Sequence, residues 1–415
     1  LTMARKMKDS GIEWIGEIPE GWEVVPVKRL CTMQAGKNLT SEQIAPEGTY
    51  PVYGGNGIRG FFSDYNCDGQ FLTVGRQGAL CGNVHKINGK VWATEHAVIA
   101  TPSSYTILDF LYFLLIGMDL NQYVSSTAAQ PGLAVGTLLN LKTCYPCSTL
   151  EQTQISNYLN AKCSEIDVML SKIRSSIEEH KKLKQAVITQ AVTKGVRGER
   201  EMKDSGVEWI GKIPREFDPV QLKFFCKLIT DGTHFSPTTV ENGWPYITAG
   251  DVHGIGLDYN SAKRISEEDF QLLVAQGCQP LKGDVLLVKD GATTGRVGFV
   301  DSDTPCVILS SVAMLRPADN TDGHYLMYLL ASDFLQKQIL VSMAGSAMPR
   351  TTLTKLTKYI GLLPPLHEQK EIANYLDAKC AEIDKLIAKK EQLVKELESY
   401  KKSLIYEVVT GKREV

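Results

Sequence analysis

The sequence predicts an α+β protein with an internal pseudo-two-fold repeat. Two globular mixed α/β domains are joined by two long helices that form an antiparallel coiled coil. Three observations predict this. MKDSGIEWIGEIP at Met7–Pro19 recurs as MKDSGVEWIGKIP at Met202–Pro214, with 11 of 13 positions identical at an offset of 195. EQTQISNYLNAKCSEIDVML at Glu151–Leu170 recurs as EQKEIANYLDAKCAEIDKLI at Glu368–Ile387, with 12 of 20 identical at an offset of 217. The stretches between, 20–150 and 215–367, share little sequence and differ in length by 22 residues, the difference between the two offsets. A period of this size decides the architecture before any local pattern does. A constant frame around two divergent inserts is the layout of one shared job for the frame and separate recognition by each insert. Duplication followed by drift would erode frame and inserts alike.

Four segments follow: 1–150, an N-terminal block with the first insert; 151–201, a long helix and linker; 202–367, the second block and insert; 368–415, the second long helix. The first insert has strand-like runs at Gly69–Val74 and Val91–Ala100, then a helix-like run at Ile107–Met118. The second has strand-like runs at Asp284–Val288, Arg296–Val300 and Val307–Leu315, then a helix-like run at His324–Leu340. Short apolar, β-branched runs bounded by glycine turns read as buried strands. The turns are YGGNGIRG at 53–60, GRQG at 75–78 and KDGATTGRVG at 289–298. Each insert closes in a similar order: strand, glycine turn, strand, strand, helix, polar loop. The last loops are AAQPGLAVGTL and SAMPRTTLTKL.

The EQ blocks open the long helices. In the second, apolar positions fall at Ile372, Leu376, Ile383, Leu386, Leu393, Leu397, Tyr400 and Leu404, and Lys379 and Lys390 complete a 4,3 heptad spacing. The first repeats it through Ile155, Leu159, Ile166, Met169 or Leu170, Ile173, Ile177, Leu183 and Val187. Gly195 and Gly411 stand where C-caps belong. Helices ~65 Å long with one apolar stripe need a partner. The nearest is the other copy, antiparallel because the chain passes through an insert between them. The alternative is that each helix packs on its own insert.

Composition bounds the rest. The chain has 415 residues, 45 Lys+Arg against 47 Asp+Glu, 43% apolar and 22% charged residues. That is a globular protein of two to four domains, not a disordered one. The longest apolar run, Phe110–Ile116, is far short of the ~18–20 residues of a membrane span. The start, LTMARKMKDSG, has no apolar core of a signal peptide. Ten scattered cysteines include one CxxC, Cys144–Cys147, without a second pair, so ordinary thiols in a reducing cytoplasm are expected.

Catalytic patterns are missing. Every Gly-Lys pair lacks the Ser or Thr of a phosphate loop. Gly55, Gly57 and Gly60 fit GxGxxG but lead into FFSDYN rather than a helix with a downstream acid. There is no Asn-Pro-Pro-Tyr or Asp-Pro-Pro-Tyr tetrad, no Pro-Asp with a spaced Glu-x-Lys, no GxSxG and no HExxH. The seven histidines are dispersed.

These motifs together resemble the specificity (S) subunit of type I restriction-modification systems, over nearly the whole chain. The carriers are DSG-[IV]-EW-IG-x-IP opening each half, LPPLHEQ with EIANYLDAKCAEID in the second half, and LEQTQISNYL in the first. YPVYGGNGIRG and DGTHFSP look like two subtypes of target recognition domain. The first half departs by reading YPCSTLEQ where the family usually has a Pro-Pro-Leu turn. The resemblance implies a non-catalytic DNA-reading subunit. Each insert would read half of a split, asymmetric duplex site. The coiled coil would set the spacer and dock two adenine methyltransferase (modification) subunits, with restriction/translocase subunits joining for cleavage. No cofactor would sit on this chain: S-adenosylmethionine would be on the methyltransferases, which flip out an adenine, and ATP and Mg on the restriction subunits.

Favoured base pairings, Arg with guanine and Asn or Gln with adenine, nominate readers. In the first insert these are Asn56, Arg59, Arg76, Gln77, Lys86 and Gln130; in the second, His234, Thr248, Lys289, Thr293, Thr294, Arg296 and Arg350. Each has a plainer alternative as a solvated turn residue; Gln130 as a residue shaping its loop, and His234 as a cap within DGTH. Arg76 and Arg296 stand beside glycine turns at similar places. Charge strains the reading, because the inserts carry 8 Lys+Arg against 9 Asp+Glu and 13 against 16, whereas phosphate contact favours basic proteins. Either partners supply much of the backbone grip or the positive charge gathers on one face. The competing classes are a coiled-coil adaptor with two protein-binding heads and a self-sufficient nuclease or methyltransferase.

Overall fold

The computed structural model describes residues 5–77, 81–124, 132–207, 210–253, 256–343 and 349–415. The chain is α+β and forms two units: Leu1–Arg174 with Glu391–Val415, and Ser175–Lys390. This division differs from the four expected segments. Neither long helix is a domain of its own; each contributes one part to each unit.

The first unit runs β1 (Met7–Asp9), β2 (Glu17–Pro19), β3 (Trp22–Pro26), β4 (Cys31–Ala35), β5 (Tyr50–Gly54), β6 (Gly57–Phe62), β7 (Gln70–Gly75), β8 (Val84–Asn88), β9 (Trp92–Ala93), β10 (Ala97–Pro102), α1 (Leu108–Gly117), α2 (Val135–Asn140), β11 (Lys142–Pro146) and the start of α3 (Thr149–Lys194). The second continues with β12 (Met202–Asp204), β13 (Lys212–Pro214), β14 (Asp218–Gln221), β15 (Cys226–Asp231), β16 (Thr239–Val240), β17 (Trp244–Ile247), β18 (Val252–His253), β19 (Gly256–Leu257), β20 (Lys263–Ile265), α4 (Glu267–Ala275), β21 (Val285–Val288), β22 (Val297–Phe299), β23 (Val307–Ile308), β24 (Val312–Pro317), α5 (Gly323–Ala331), α6 (Asp333–Met343), α7 (Leu353–Leu356), β25 (Ile360–Leu363) and the start of α8 (Leu366–Val409).

The repeated blocks fold alike because they carry their own corner. Gly11 N donates to Asp9 Oδ1 (2.9 Å) and Ile12 N to Ser10 Oγ (3.1 Å). Gly206 N and Val207 N make the same bonds to Asp204 and Ser205 at 2.9 and 3.1 Å. The third residue of the corner has φ of +65° or +70°, which glycine adopts freely. Each block then buries its isoleucines against the end of a long helix. Ile15, Ile18 and Trp22 share a core with Leu404, Ile405, Val408 and Val409. Ile210, Ile213 and Phe217 share one with Ile188, Ala191 and Val192.

The kept Glu-Gln pair has a structural reason too. Gln152 accepts from Ile107 N (2.8 Å) and donates to Pro146 O (3.0 Å) and Tyr105 O (3.1 Å). Gln369 accepts from Asp322 N (2.8 Å) and donates to Pro364 O (2.8 Å) and Asn320 O (2.9 Å). Glu151 pairs with Arg5 at 2.5 Å and Glu368 with Arg200 at 2.6 Å, so the same arginine before each repeated block closes onto each helix start. The glutamine bonds satisfy buried polar atoms that would otherwise be costly, whereas Glu368 Oε1 and Arg200 Nε are buried without a hydrogen bond and that pair is held by charge.

The inserts share a sheet despite their different sequences. The first has strand order β4-β10-β7-β8 and the second β15-β24-β21-β22, every pair antiparallel. The central strands FLTV and VLLV are covered on both faces, so they read as continuous runs rather than alternations. In the second unit Val285 and Leu287 face α5 and its core, while Leu286 and Val288 belong to a separate cluster with Ile247 and Ile308. A second sheet covers the other face in each unit, three-stranded in the first (β6-β5-β9) and four-stranded in the second (β16-β20-β17-β23), with one parallel pair in each, β5 with β9 and β17 with β23. The element α4 has no counterpart among the described residues of the first unit.

The helices pair antiparallel within each unit. In the first, Asp167 meets Lys401 and Arg174 meets Glu398; in the second, Lys184 meets Asp384, and Arg197, just past the end of α3, meets Glu371. The seam keeps the expected spacing but is rotated. Cys380 is buried where Lys379 was expected, and Ile387, Val394 and Lys401 are half-buried, while Leu386, Leu393 and Tyr400 are exposed. On α3 the buried residue is Leu170, not Met169, and Cys163 joins it. Leu183 is exposed.

Candidate functional site

In each unit one end of the sheet β4-β10-β7-β8 or β15-β24-β21-β22 gathers loops: those after the first and third strands in that spatial order and before the second and fourth. The same backbone hydrogen bonds build both ends. Gly36 N donates to Ala97 O (3.0 Å) and Lys37 N to Ala93 O (3.0 Å); Gly232 N donates to Val312 O (3.3 Å) and Thr233 N to Ile308 O (3.1 Å). Arg76 N donates to His96 O (2.9 Å) as Lys289 N does to Ser311 O (2.8 Å). Leu133 N donates to Arg76 O as Thr351 N does to Lys289 O, both at 2.9 Å. A Cβ on Gly36 would lie 2.3 Å from Ala93 O, and one on Gly232 1.9 Å from Ile308 O, so only glycine lets these segments cross.

One frame therefore carries two sets of side chains. It also corrects a correspondence: Arg76 matches Lys289, not Arg296. Arg296 matches Asn83, because Gly75 N donates to Asn83 O as Val288 N does to Arg296 O, both at 2.8 Å. The sequence pattern missed this because both arginines flank the same glycine turn, one before it and one after.

In the first unit the loop end brings Asn56, Arg76 and Gln77 together. Asn83 Nδ2 donates to Asn56 Oδ1 (3.0 Å) on the surface. A Cβ on Gly55 would stand 3.0 Å from Gln77 O and 3.3 Å from His96 O, which puts the β5–β6 turn against the Arg76 strand end. The Arg76 guanidinium makes no ion pair among the described residues. Gln77 forms a bridge with Gly132. Arg59 is exposed on β6, beside the exposed Ile58. Gln130 lies outside the described residues.

Lys86 departs from the expectation of a free ammonium. It lies 2.8 Å from Asp109 Oδ1 and donates to Asn160 Oδ1 (3.1 Å), above the rings of Tyr112 and Phe113. Burial raises the Asp109 carboxyl pKa, but the bonds from Lys86 and Asn160 outweigh it and hold the group below its ordinary value. Lys86 thus ties the sheet to α1 and α3. The matching trio in the second unit is Phe299, His324 and Asp377: the Phe299 and His324 rings are 4.1 Å apart, and His324 Nδ1 lies 3.2 Å from Asp377 Oδ2.

In the second unit the loop end is an ion-pair chain. Lys289, 3% exposed, lies 2.7 Å from Asp290 Oδ2 and 3.3 Å from Asp231 Oδ2. Its ammonium is buried between carboxylates rather than offered outward, a second departure from the expectation. Arg350 Nε lies 2.9 Å from Asp290 Oδ1. His234 is 71% exposed and 3.7 Å from Asp231 Oδ2, with the exposed Phe235 beside it. Thr248 N and Oγ1 both donate to Asp251 Oδ2, at 2.8 and 2.7 Å, which makes Thr248 part of a local turn. Thr294 Oγ1 donates to Gly291 O (2.7 Å), and Thr293 O accepts from Arg296 N (3.1 Å). Arg296 is exposed and without an ion pair among the described residues.

Sequence reasoning passed over Asn83 and His96 in the first unit and Asp231, Asp290 and Phe235 in the second. Asp231 and Asp290 were visible as the acids opening DGTH and DGATTG, but acids are not expected on a polyanion-reading surface. The cysteines are free, and burial pushes the Cys144 thiol up to about 12. Among the described residues no cluster of His, Cys, Asp or Glu is placed to hold a metal ion.

Comparison with known proteins gives a consistent answer. A family model described as "Type I restriction modification DNA specificity domain" matches residues 19–179 and 214–396. The "Type I restriction enzyme EcoprrI specificity subunit" of Escherichia coli is 45% identical over 121 residues, 28% of this chain and 30% of that protein. The "Type I restriction enzyme MjaVIII specificity subunit" of Methanocaldococcus jannaschii is 25% identical over 422 residues, 95% of this chain and 93% of that one. A solved chain from work on "complex assembly and conformational transition of the type I R-M system" has the same fold, with a TM-score of 0.69 at 16% identity, covering 95% of this chain and 99% of that chain.

Proposed function

The chain belongs to the type I restriction-modification DNA specificity family, and on that premise we propose that each unit reads one half of a split, asymmetric duplex site through the loop end of its four-stranded sheet. The observation that carries this is the shared backbone frame with unlike side chains: an amide-rich set with Arg76 in one unit, an ion-paired set with Arg350 beside the unpaired Arg296 in the other. One frame presenting two donor and acceptor patterns is what an asymmetric site requires.

The helices α3 and α8 set the distance between the half-sites, as geometry does for dimeric readers. They also dock the methyltransferase subunits. In support, α8 carries a second apolar row, Leu386, Leu393 and Tyr400, at heptad spacing and exposed. The chain itself performs no chemistry; S-adenosylmethionine belongs to two methyltransferase partners, and ATP and Mg to restriction subunits. It works in the cytoplasm. No helix among the described residues is long and apolar enough to cross a membrane.

The near-neutral inserts supply little phosphate attraction, so the chain alone binds weakly and the partners supply much of the backbone grip. A gel shift with and without the methyltransferase subunits tests this. A sequence-dependent shift that strengthens with the partner is expected; no sequence dependence in either state would favour an adaptor with protein-binding heads.

A further inference from the structure

We propose that Arg350 reads a guanine in the half-site of the second unit, with Asp290 and the buried Lys289 as its positioning residues; this rests on the DNA-reading function proposed above. The backbone at Arg350 is fixed first. It forms a bridge with Asp290. On either side, Gly291 N donates to Pro349 O and Thr351 N to Lys289 O, both at 2.9 Å. Thr351 is itself buried, 2.6 Å from the Tyr359 hydroxyl. The side chain is held next by charge. Nε lies 2.9 Å from Asp290 Oδ1, an ion pair without a hydrogen bond, and Lys289 Nζ donates to the other oxygen of that carboxylate at 2.7 Å. Lys289 cannot swing away, because it is 3% exposed and also held by Asp231 at 3.3 Å.

The end of the guanidinium is left to the outside. Arg350 is 58% exposed, and its Nη groups make no hydrogen bond among the described residues. Its charge is already balanced: Lys289 and Arg350 stand against Asp231 and Asp290. A charge-balanced, oriented fork gains little from an isolated phosphate but keeps its planar donors, which match two acceptors side by side. In the major groove only guanine offers that pair, O6 and N7. The first unit lacks the device, having Gly132 in place of Arg350, Gln77 in place of Asp290 and Arg76 in place of Lys289.

The test is selection from a randomised duplex library by the full chain with its methyltransferase subunits. The wild type should enrich two short blocks of bases. Arg350→Ala should erase one guanine position in one block, leave the other positions intact as the internal check on folding, and weaken binding to the parent site roughly 5- to 150-fold. Arg350→Lys should keep the charge yet lose the same position. Asp290→Asn should relax that position with Arg350 still present. In the parent site, 7-deazaguanine there should weaken the wild type but not Arg350→Ala. The guanine assignment is overturned if Arg350→Ala leaves the motif unchanged, or lowers affinity equally for every base variant and flattens the salt dependence. Survival of the position in Asp290→Asn overturns the positioning role. If the wild type enriches no motif, the DNA-reading function itself fails, which is a separate result.

Discussion

The two trios that fasten each sheet to its long helix have opposite polarity, and this gives a quantitative prediction. Asn160 and Asp377 occupy matching positions of the repeated block. Asn160 faces an acid: its Nδ2 donates to Asp109 Oδ2 at 2.6 Å. Asp377 faces a base, His324, at 3.2 Å, and accepts from the Tyr328 hydroxyl at 2.8 Å. Asn160→Asp would set two carboxylates side by side. Like charges about 4 Å apart repel by about 4 kcal/mol at an effective dielectric of about 20. Asp109 is 34% exposed and Lys86 remains beside it, so screening and that cation reduce the net cost to about 1–2 kcal/mol. For a unit of this size that lowers the unfolding midpoint by about 2–8 °C.

The pH dependence identifies the cause. In the wild type Asp109 is held below its ordinary pKa, so its contribution is present above about pH 4 and fades only as pH falls through that lowered value. In Asn160→Asp one carboxyl of the pair is raised instead, because the two cannot both ionise cheaply. The penalty should then be small near pH 4 and grow toward pH 7. Calorimetry of wild type and variant across that range is the assay. A variant that melts with the wild type at pH 7, or a penalty independent of pH, would refute the charge argument. Asp377→Asn keeps an acceptor for Tyr328 and should cost only about 0.5 kcal/mol.

Glu368→Gln should destabilise the second unit by about 3–5 kcal/mol, because Glu368 is 1% exposed and its loss strands Arg200; Glu151→Gln, at a site 28% exposed, should cost clearly less in the same urea titration. Gly232→Ala drives a methyl to 1.9 Å from Ile308 O, so the loop end of the second unit should lose its half-site preference while that of the first persists. Library selection would show both blocks retained if the crossing tolerates a side chain. Arg76→Ala should relax one half-site only, and equal loss at both would mark a general phosphate or folding role.

The sequence revealed the frame better than the surfaces. The repeat located both opening blocks and both helix starts, though not the hairpin corners inside the blocks, because Asp-Ser-Gly and Glu-Gln make local bonds that any copy must keep. The seam was legible in spacing but not in facing. The expected and observed rows share Ile372, Leu376, Ile383, Lys390, Leu397 and Leu404, and Ile387 and Val394 are as apolar as Leu386 and Leu393 beside them. Periodicity cannot choose between two rows that share more than half their members; contact with the inserts does. Lys86 and Lys289 were misjudged for a related reason. A lysine on or just beyond a strand reads as solvent-facing until the acids that hold it, Asp109 on α1 and Asp231 on β15, are brought in by the fold. The shared sheet order was hidden because both faces of its central strand are buried, which leaves only apolar runs to compare.

The central claim is that paired helices hold two unlike readers on one frame. Removing residues 168–174 from α3 and 394–400 from α8 takes out one heptad from each, between the Asp167–Lys401 contact and the next turn of the pair. At 1.5 Å per residue that is about 10.5 Å, or about 3 base pairs at 3.4 Å each. Mapping the methylated motif of the complex built on the shortened chain should show the same two half-sites with a spacer about 3 base pairs shorter. An unchanged spacer with both half-sites intact would contradict the account.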